Sequence, residues 1–287
     1  MAEQFIDNNY EIVNFEEFAD VYIINTCTVT NMSDRKSRQI IRRAKQINPN
    51  SILVATGCYA QTAKEELEKI TDIDLIVGNT EKKDIVKIVE EYRDNKNRER
   101  VKMSDINKQK EFVDFGSVTY TEKTRAVIKV QDGCNNFCSY CIIPYAKGRV
   151  RSRKLESVVK EITEIAAKGI KEVVITGIHV ASYGKDFDNE NTSKKIRLID
   201  LLEAINKIDG IDRIRLSSLE PTIVDEEFAT RLSKLDKICD HFHLSLQSGC
   251  DETLKRMNRK YTTQIYRDAV ATLRKYYPEA SFTTDVI

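Results

Sequence analysis

Residues 133–141 read GCNNFCSYC, from Gly133 to Cys141. Cys134, Cys138 and Cys141 fall in the pattern C-x3-C-x2-C. Three thiolates in so short a stretch can grip three corners of a small inorganic cluster. A tetrahedral zinc site, like an ordinary four-iron cluster, takes four protein ligands. The next cysteine along the chain is Cys239. With no fourth ligand nearby, one iron of a cluster is left open to a small molecule. A structural zinc site completed from elsewhere, or an electron-transfer cluster, fits the same spacing.

The surroundings of that stretch set the fold. Arg125–Gln131, RAVIKVQ, is a strand that delivers Cys134. Helices follow at Leu155–Lys168, Leu198–Ile208, Glu226–Leu235 and Thr263–Tyr277. They alternate with strands at Glu172–Thr176, Asp212–Ser217, Phe242–Leu246 and Ser281–Ile287. Strands joined by helical crossovers imply a parallel, barrel-like sheet. Ligands bind at the carboxyl ends of such strands. The polar stretches GCNNFCSYC, TGIHVASYG, LSSLEP and LSLQSG all fall there. The chain stops inside the fifth of these strands, so the (βα) barrel is expected to be partial.

Upstream, Ala19–Asn25 (ADVYIIN) and Ser51–Thr56 (SILVAT) are nearly continuous apolar runs, the mark of strands covered on both faces. Asn31–Gln46 is a helix, with Asn31 or Ser33 as its cap. Thr62–Ile70 and Glu81–Tyr92 are further helices, and Asp74–Val77 is a short strand. The alternation predicts a small parallel α/β domain over residues 1–93. Its start, MAEQFIDNNY, has the spacing of a helix end stopped by Asn8-Asn9. A helix with no strand before it leads us to expect that the domain lacks its first strand. Asp94–Gln109 is polar and charged, and we place a linker at 94–120. The barrel domain then runs over 121–287.

Length divided by about 150 agrees with two domains. Lys+Arg 46 against Asp+Glu 45 leaves a net charge of +1, so any nucleic-acid surface is local. No apolar run of about 18 residues and no signal peptide occur. The expected compartment is therefore the cytoplasm, with no membrane partner. Seven cysteines there read as metal ligands or buried thiols before disulfides.

Cys27 in NTCTVTN and Cys58 in ATGCYA both stand just past the carboxyl ends of strands. Adjacent strands lie about 4.8 Å apart, so two such cysteines can share one metal centre. Each alone is equally a buried thiol. Lys147–Lys154, KGRVRSRK, is a basic run beside the cysteine loop. As a strand it would alternate Arg149, Arg151 and Arg153 on one side, facing RNA phosphate. A solvated basic strand is the plain alternative. Asn31–Gln46 carries a similar basic face about 24 Å long, read as solvated. His179, His243, Cys239 and Cys250 are expected to be structural.

C-x3-C-x2-C after a strand resembles the radical S-adenosylmethionine (SAM) superfamily. An amino-terminal α/β domain with NTC and TGC before it resembles the methylthiotransferases of that superfamily. NTCTVTNMSDRKSRQIIRRA is most similar to the branch acting on N6-threonylcarbamoyladenosine beside the tRNA anticodon. Other branches act on isopentenyladenosine in tRNA or on a ribosomal protein. The resemblance implies two 4Fe-4S clusters. One, on Cys134, Cys138 and Cys141, binds SAM at its open iron and yields a 5′-deoxyadenosyl radical. The other is auxiliary; Cys27 and Cys58 match the second and third of its three cysteines, and the first is absent with the absent strand. Gly177, Ser218, Glu220 and Gln247 match strand-end positions that surround SAM in that superfamily, and Tyr140, inside the cysteine loop, is placed to lie along the adenine; a plain turn at Glu220-Pro221 and a loop at Gln247–Gly249 are the alternatives. The implied reaction replaces hydrogen at carbon 2 of the adenine by a methylthio group. The implied partners are the tRNA anticodon loop and an electron donor such as flavodoxin or ferredoxin. A non-catalytic iron–sulfur or zinc protein is the rival of a different class.

Overall fold

The computed structural model of the chain describes residues 1–27, 31–95, 99–114, 124–189 and 195–287. They fall in two compact units: Met1–Phe115 with Cys141–Gly148, and Gly116–Tyr140 with Arg149–Ile287. Part of the expected linker, 96–98 and 115–120, and the expected start of the barrel at 121–123 lie outside the described residues. So do residues 28–30 of NTCTVTN and the side chains of the expected caps Asn31 and Ser33.

In the first unit β1 (Val21–Thr26), β2 (Ile52–Gly57), β3 (Leu75–Val77) and β4 (Val101–Lys102) form one parallel sheet in that order. Its helices are α1 (Ala2–Asp7), α2 (Asn31–Ile47), α3 (Cys58–Thr62), α4 (Lys64–Glu68), α5 (Ile85–Asp94) and α6 (Ile143–Lys147). The apolar runs are continuous because both faces are covered. Tyr22, Ile24, Leu53, Ala55 and Ile76 pack on Ile41 and Ala44 of α2 and on Tyr59 and Leu67. Residues of the other parity, Ile52, Val54, Leu75 and Val77, pack on Phe5 of α1 and on Ile85, Val86 and Val89. Asn9 ends α1 in the left-handed region, at φ 63°, a place asparagine tolerates.

Three local expectations are corrected. The helix placed at Thr62–Ile70 is two short helices, α3 and α4, broken at Ala63 with φ −129°. The polar stretch Asp94–Gln109 is not featureless. Val101 packs on the core and carries β4 to the sheet edge, and Ile106 is buried in a 3₁₀ turn. Residues 141–148 group with the first unit: Asn79 Nδ2 donates to the Ala146 carbonyl at 2.8 Å, and Lys147 Nζ to Asn79 Oδ1 at 3.4 Å.

In the second unit β5 (Arg125–Asp132), β7 (Glu172–Gly177) and β8 (Arg213–Leu216) run parallel, and β6 (Arg151–Ser152) is antiparallel on the outer side of β5. Parallel bridges Ile214–Ile238 and Leu219–Leu244 lead on to β9 (His241–His243), which pairs in parallel with β10 (Ser281–Thr283). The helices are α7 (Leu155–Ala167), α8 (Leu198–Asn206), α9 (Glu226–Leu232), α10 (Asp251–Arg256) and α11 (Thr263–Tyr276). One core joins Ile128, Val130, Ile175 and Ile214 of the strands to Ile162, Leu202, Phe228 and Leu273 of the helices. The fold is α/β with parallel sheets in both units. Among the described residues no helix is long and apolar enough to cross a membrane.

Candidate functional site

Two strand ends carry the cysteines of the first unit. Thr26 and Gly57 are the last register pair of β1 and β2. Cys27 and Cys58 are the next residues of each chain segment, so each leaves from one of two paired strand ends. Cys27 is exposed and Cys58 half-buried. The strand ends are fixed by hydroxyls: Thr26 Oγ1 donates to the Thr56 carbonyl at 2.5 Å and accepts from the Ala60 N–H at 3.2 Å. Gly57, at φ 103°, lets the chain turn straight into α3.

In the second unit the cysteine loop leaves β5 through Gln131 and Gly133. Gln131 is wholly buried; its Nε2 donates to the carbonyls of Asp132 and Gly133 at 2.6 and 2.7 Å. Its Oε1 accepts from the His179 N–H at 2.6 Å, which ties the loop to the end of β7. The Asn136 N–H points at Cys134 Sγ at 3.5 Å. Arg259 Nη1 donates to Cys138 Sγ at 3.3 Å. Both sulfurs thus accept an N–H from the chain itself. Cys141 is half-buried at the start of the stretch that groups with the first unit.

Behind the loop sits a buried acid. Glu220 is 6% exposed and accepts from Asn136 Nδ2 at 3.2 and 3.3 Å. It faces His179 Nε2 at 2.8 Å and Arg259 Nη1 at 3.8 Å. Burial alone would raise its carboxyl. The bond and charge of His179, with Asn136 and Arg259, outweigh that and hold it below the usual carboxylate range.

The expected SAM-facing residues divide. Glu220 lies against the cysteine loop, and Tyr140 donates its hydroxyl to Gln247 Oε1 at 3.0 Å. Gln247 holds φ 67°, a strained setting for a residue with a side chain. Ser218 is exposed past β8. At Gly177 the close neighbour is this chain's own Gln131, whose carbonyl a Cβ would meet at 2.9 Å. The sequence signalled neither Asn136, Gln131 nor Arg259. His179, expected to be structural, is indeed hydrogen-bonded, but at the centre of this cluster. Its place in TGIHVASYG, at a strand end, was the available signal.

The basic run needs correction. Arg151 and Arg153 are buried, at 3% and 7% exposure, and do not face RNA. Arg153 pairs with buried Glu161, and Arg151 lies 3.7 Å from Asp132. Glu161 stands within the apolar stripe of α7, between Val158 and Ile162, and needs an internal partner. Of the three arginines only Arg149 is exposed, with its guanidinium 4.7 Å from the Phe137 ring centre.

Among the described residues no group of three or more His, Cys, Asp or Glu is placed to hold a single metal ion. A cubane asks for something else, thiolates each serving a separate iron. The donor set fits such a group: thiols, N–H donors aimed at their sulfurs, and a buried Arg259 whose Nε has no hydrogen-bond partner. A separate cleft of about 470 Å³, between Tyr183, Arg197 and Phe228, is lined by none of the expected site residues.

Residues 128–287 match the model of the radical SAM superfamily, and 1–78 match that of "uncharacterized protein family UPF0004". A fold of parallel strands with this cysteine loop at their ends defines a radical SAM protein. A solved structure similar in fold is the radical SAM methyltransferase TsrM of Kitasatospora setae, with cobalamin and a [4Fe-4S] cluster bound. Its TM-score is 0.63 at 21% identity, over 95% of this chain and 58% of that one. The chain is 46% identical over its whole length to threonylcarbamoyladenosine tRNA methylthiotransferase MtaB of Aquifex aeolicus, of which it spans 68%. It is 41% identical over 99% of its length to the protein of the same name from Bacillus subtilis, of which it spans 61%. The chain belongs to the methylthiotransferase family.

Proposed function

We propose that this chain is the catalytic portion of a tRNA methylthiotransferase that converts N6-threonylcarbamoyladenosine to its 2-methylthio derivative. One observation carries the reading: 46% identity to a relative of that name, over the whole of this chain and so across both units. Cys134, Cys138 and Cys141 would hold a 4Fe-4S cluster. The chemistry that group supplies when bound is one-electron reductive cleavage of SAM. Glu220, ionised beside His179, offers an anion to the positive end of SAM, and Tyr140 with Gln247 offers hydroxyl and amide contacts to it. Ser218 supplies an exposed hydroxyl at the same strand ends. Gly177 acts indirectly, by admitting Gln131 beneath the loop. Cys27 and Cys58 would supply two of the ligands of the auxiliary 4Fe-4S cluster. Arg149 is the RNA-phosphate contact of the basic run. A base in an anticodon loop is unstacked at small cost, which suits a site at strand ends. The partners are then tRNA and a low-potential electron donor, flavodoxin or ferredoxin, and the compartment is the cytoplasm.

Deleting the genomic copy and measuring tRNA nucleosides by mass spectrometry tests the substrate. Loss of methylthio-threonylcarbamoyladenosine is expected, and unchanged levels refute the assignment. Anaerobic reconstitution with dithionite and SAM should release 5′-deoxyadenosine. Bound zinc with negligible iron would point to the non-catalytic alternative.

A further inference from the structure

Arg259 follows α10 in a turn that is fastened to the cysteine loop. The Ser139 N–H donates to the Met257 carbonyl at 3.1 Å. Asn258, at φ 59°, donates from Nδ2 to the carbonyls of Asn136 and Phe137 at 3.3 and 2.8 Å. These bonds hold Arg259 against Cys138. Its side chain is 10% exposed, its Nη1 is 3.3 Å from Cys138 Sγ, and its guanidinium carbon lies 5.4 Å from the Tyr261 ring centre. On its other side, at 3.8 Å, stands Glu220, itself 7% exposed at the side chain. One buried cation thus touches a cluster-loop sulfur, and one buried anion sits behind the cation.

We propose that Arg259 and Glu220 are an opposed pair of positioning residues that sets the reduction potential of the cluster held by Cys134, Cys138 and Cys141. The inference rests on the cluster assignment above. Taking up an electron adds negative charge, which spreads onto the thiolate sulfurs. A charged donor on Cys138 stabilises that reduced form and raises the potential; hydrogen bonds to sulfur and net charge are among the levers that set it. Glu220 opposes it, and burial leaves both effects poorly screened. His179 and Asn136 fix the carboxylate at its distance.

The test uses the intact protein carrying Cys27→Ala and Cys58→Ala, so that only one cluster reports. It is reconstituted anaerobically with iron and sulfide and titrated with dithionite under EPR. Arg259→Met should lower the midpoint. At the potential where the parent is half reduced, its reduced-to-oxidised ratio should fall about tenfold, 59 mV for one electron. Arg259→Lys, which keeps the charge, should move it less. Glu220→Gln should move it upward. Should Arg259→Met fail to take up a cluster, the Lys and Gln variants carry the comparison. Midpoints that coincide, or that all move one way as a merely structural role predicts, overturn the inference. A parent that takes up no cluster overturns the functional reading and this inference together.

Discussion

Gly57 illustrates how much rests on one missing Cβ. Its φ of 103° is in the region that favours glycine, and a Cβ there would lie 2.2 Å from the Thr26 carbonyl oxygen and 2.8 Å from the Thr26 nitrogen. Both obstacles are backbone of the neighbouring strand, so neither can swing aside. Gly57→Ala should therefore destabilise the first unit by at least about 1–3 kcal/mol, read from denaturant midpoints. It should also part Cys27 from Cys58 and lower the iron retained there on reconstitution. A wild-type midpoint with wild-type iron would show that the strand ends are not coupled as described. The strand-end places of Gly57 and both cysteines were legible, because each follows directly on a continuous apolar run. Glu220, His179 and Arg259 were not legible as a group: 41 residues separate the first two, and only folding brings them to 2.8 Å.

At the scale of the element, the basic run shows where pattern reading fails. Alternation put Arg149, Arg151 and Arg153 on one side, but Val150–Arg153 are all buried and only Arg149 of the three arginines is exposed. The deciding partner is Glu161, a charge inside the buried stripe of α7. Ser152, between the two buried arginines, adds a bond from Oγ to Asp186 Oδ1 at 2.6 Å, and Tyr183 donates to the Arg153 carbonyl at 2.8 Å. Removing one member of a buried pair strands the other, so Arg153→Met should cost about 3–5 kcal/mol. Adding Glu161→Leu should restore most of that, since apolar replacement of both partners is often neutral. Arg149→Ala, which loses an exposed cation–π contact, should cost about 1 kcal/mol or less. It should instead weaken tRNA binding and flatten its salt dependence. If Arg153→Met melts like the parent while Arg149→Ala does not, the roles given to the two arginines are reversed.

For the whole molecule, the parallel α/β character of both units was legible because apolar runs and helical crossovers leave few arrangements. The grouping of Cys141–Gly148 with the first unit was not, since it depends on partners such as Asn79, 67 residues away in sequence. The near-zero net charge of +1 conceals a paired surface. Arg231 binds Asp200 at 2.7 Å and Glu203 at 2.8 Å, and Glu172 gathers Arg213 at 2.9 Å and Arg215 at 3.2 Å across β7 and β8. The bond from Arg213 holds the Glu172 carboxyl below its ordinary 4.5, and the bond from Arg231 does the same for Glu203. A carboxylate whose value is lowered by folding stabilises the fold above its ordinary pKa and loses that contribution as pH falls through the lowered one. Melting of the second unit should thus be nearly flat in pH down to about 5 and fall steeply below the ordinary carboxylate range. Glu172→Gln should melt lower at pH 7 and lose less on acidification, because its share is already gone. Calorimetry of the parent and this variant at a series of pH values checks the point, and parallel acid limbs would place the linkage elsewhere.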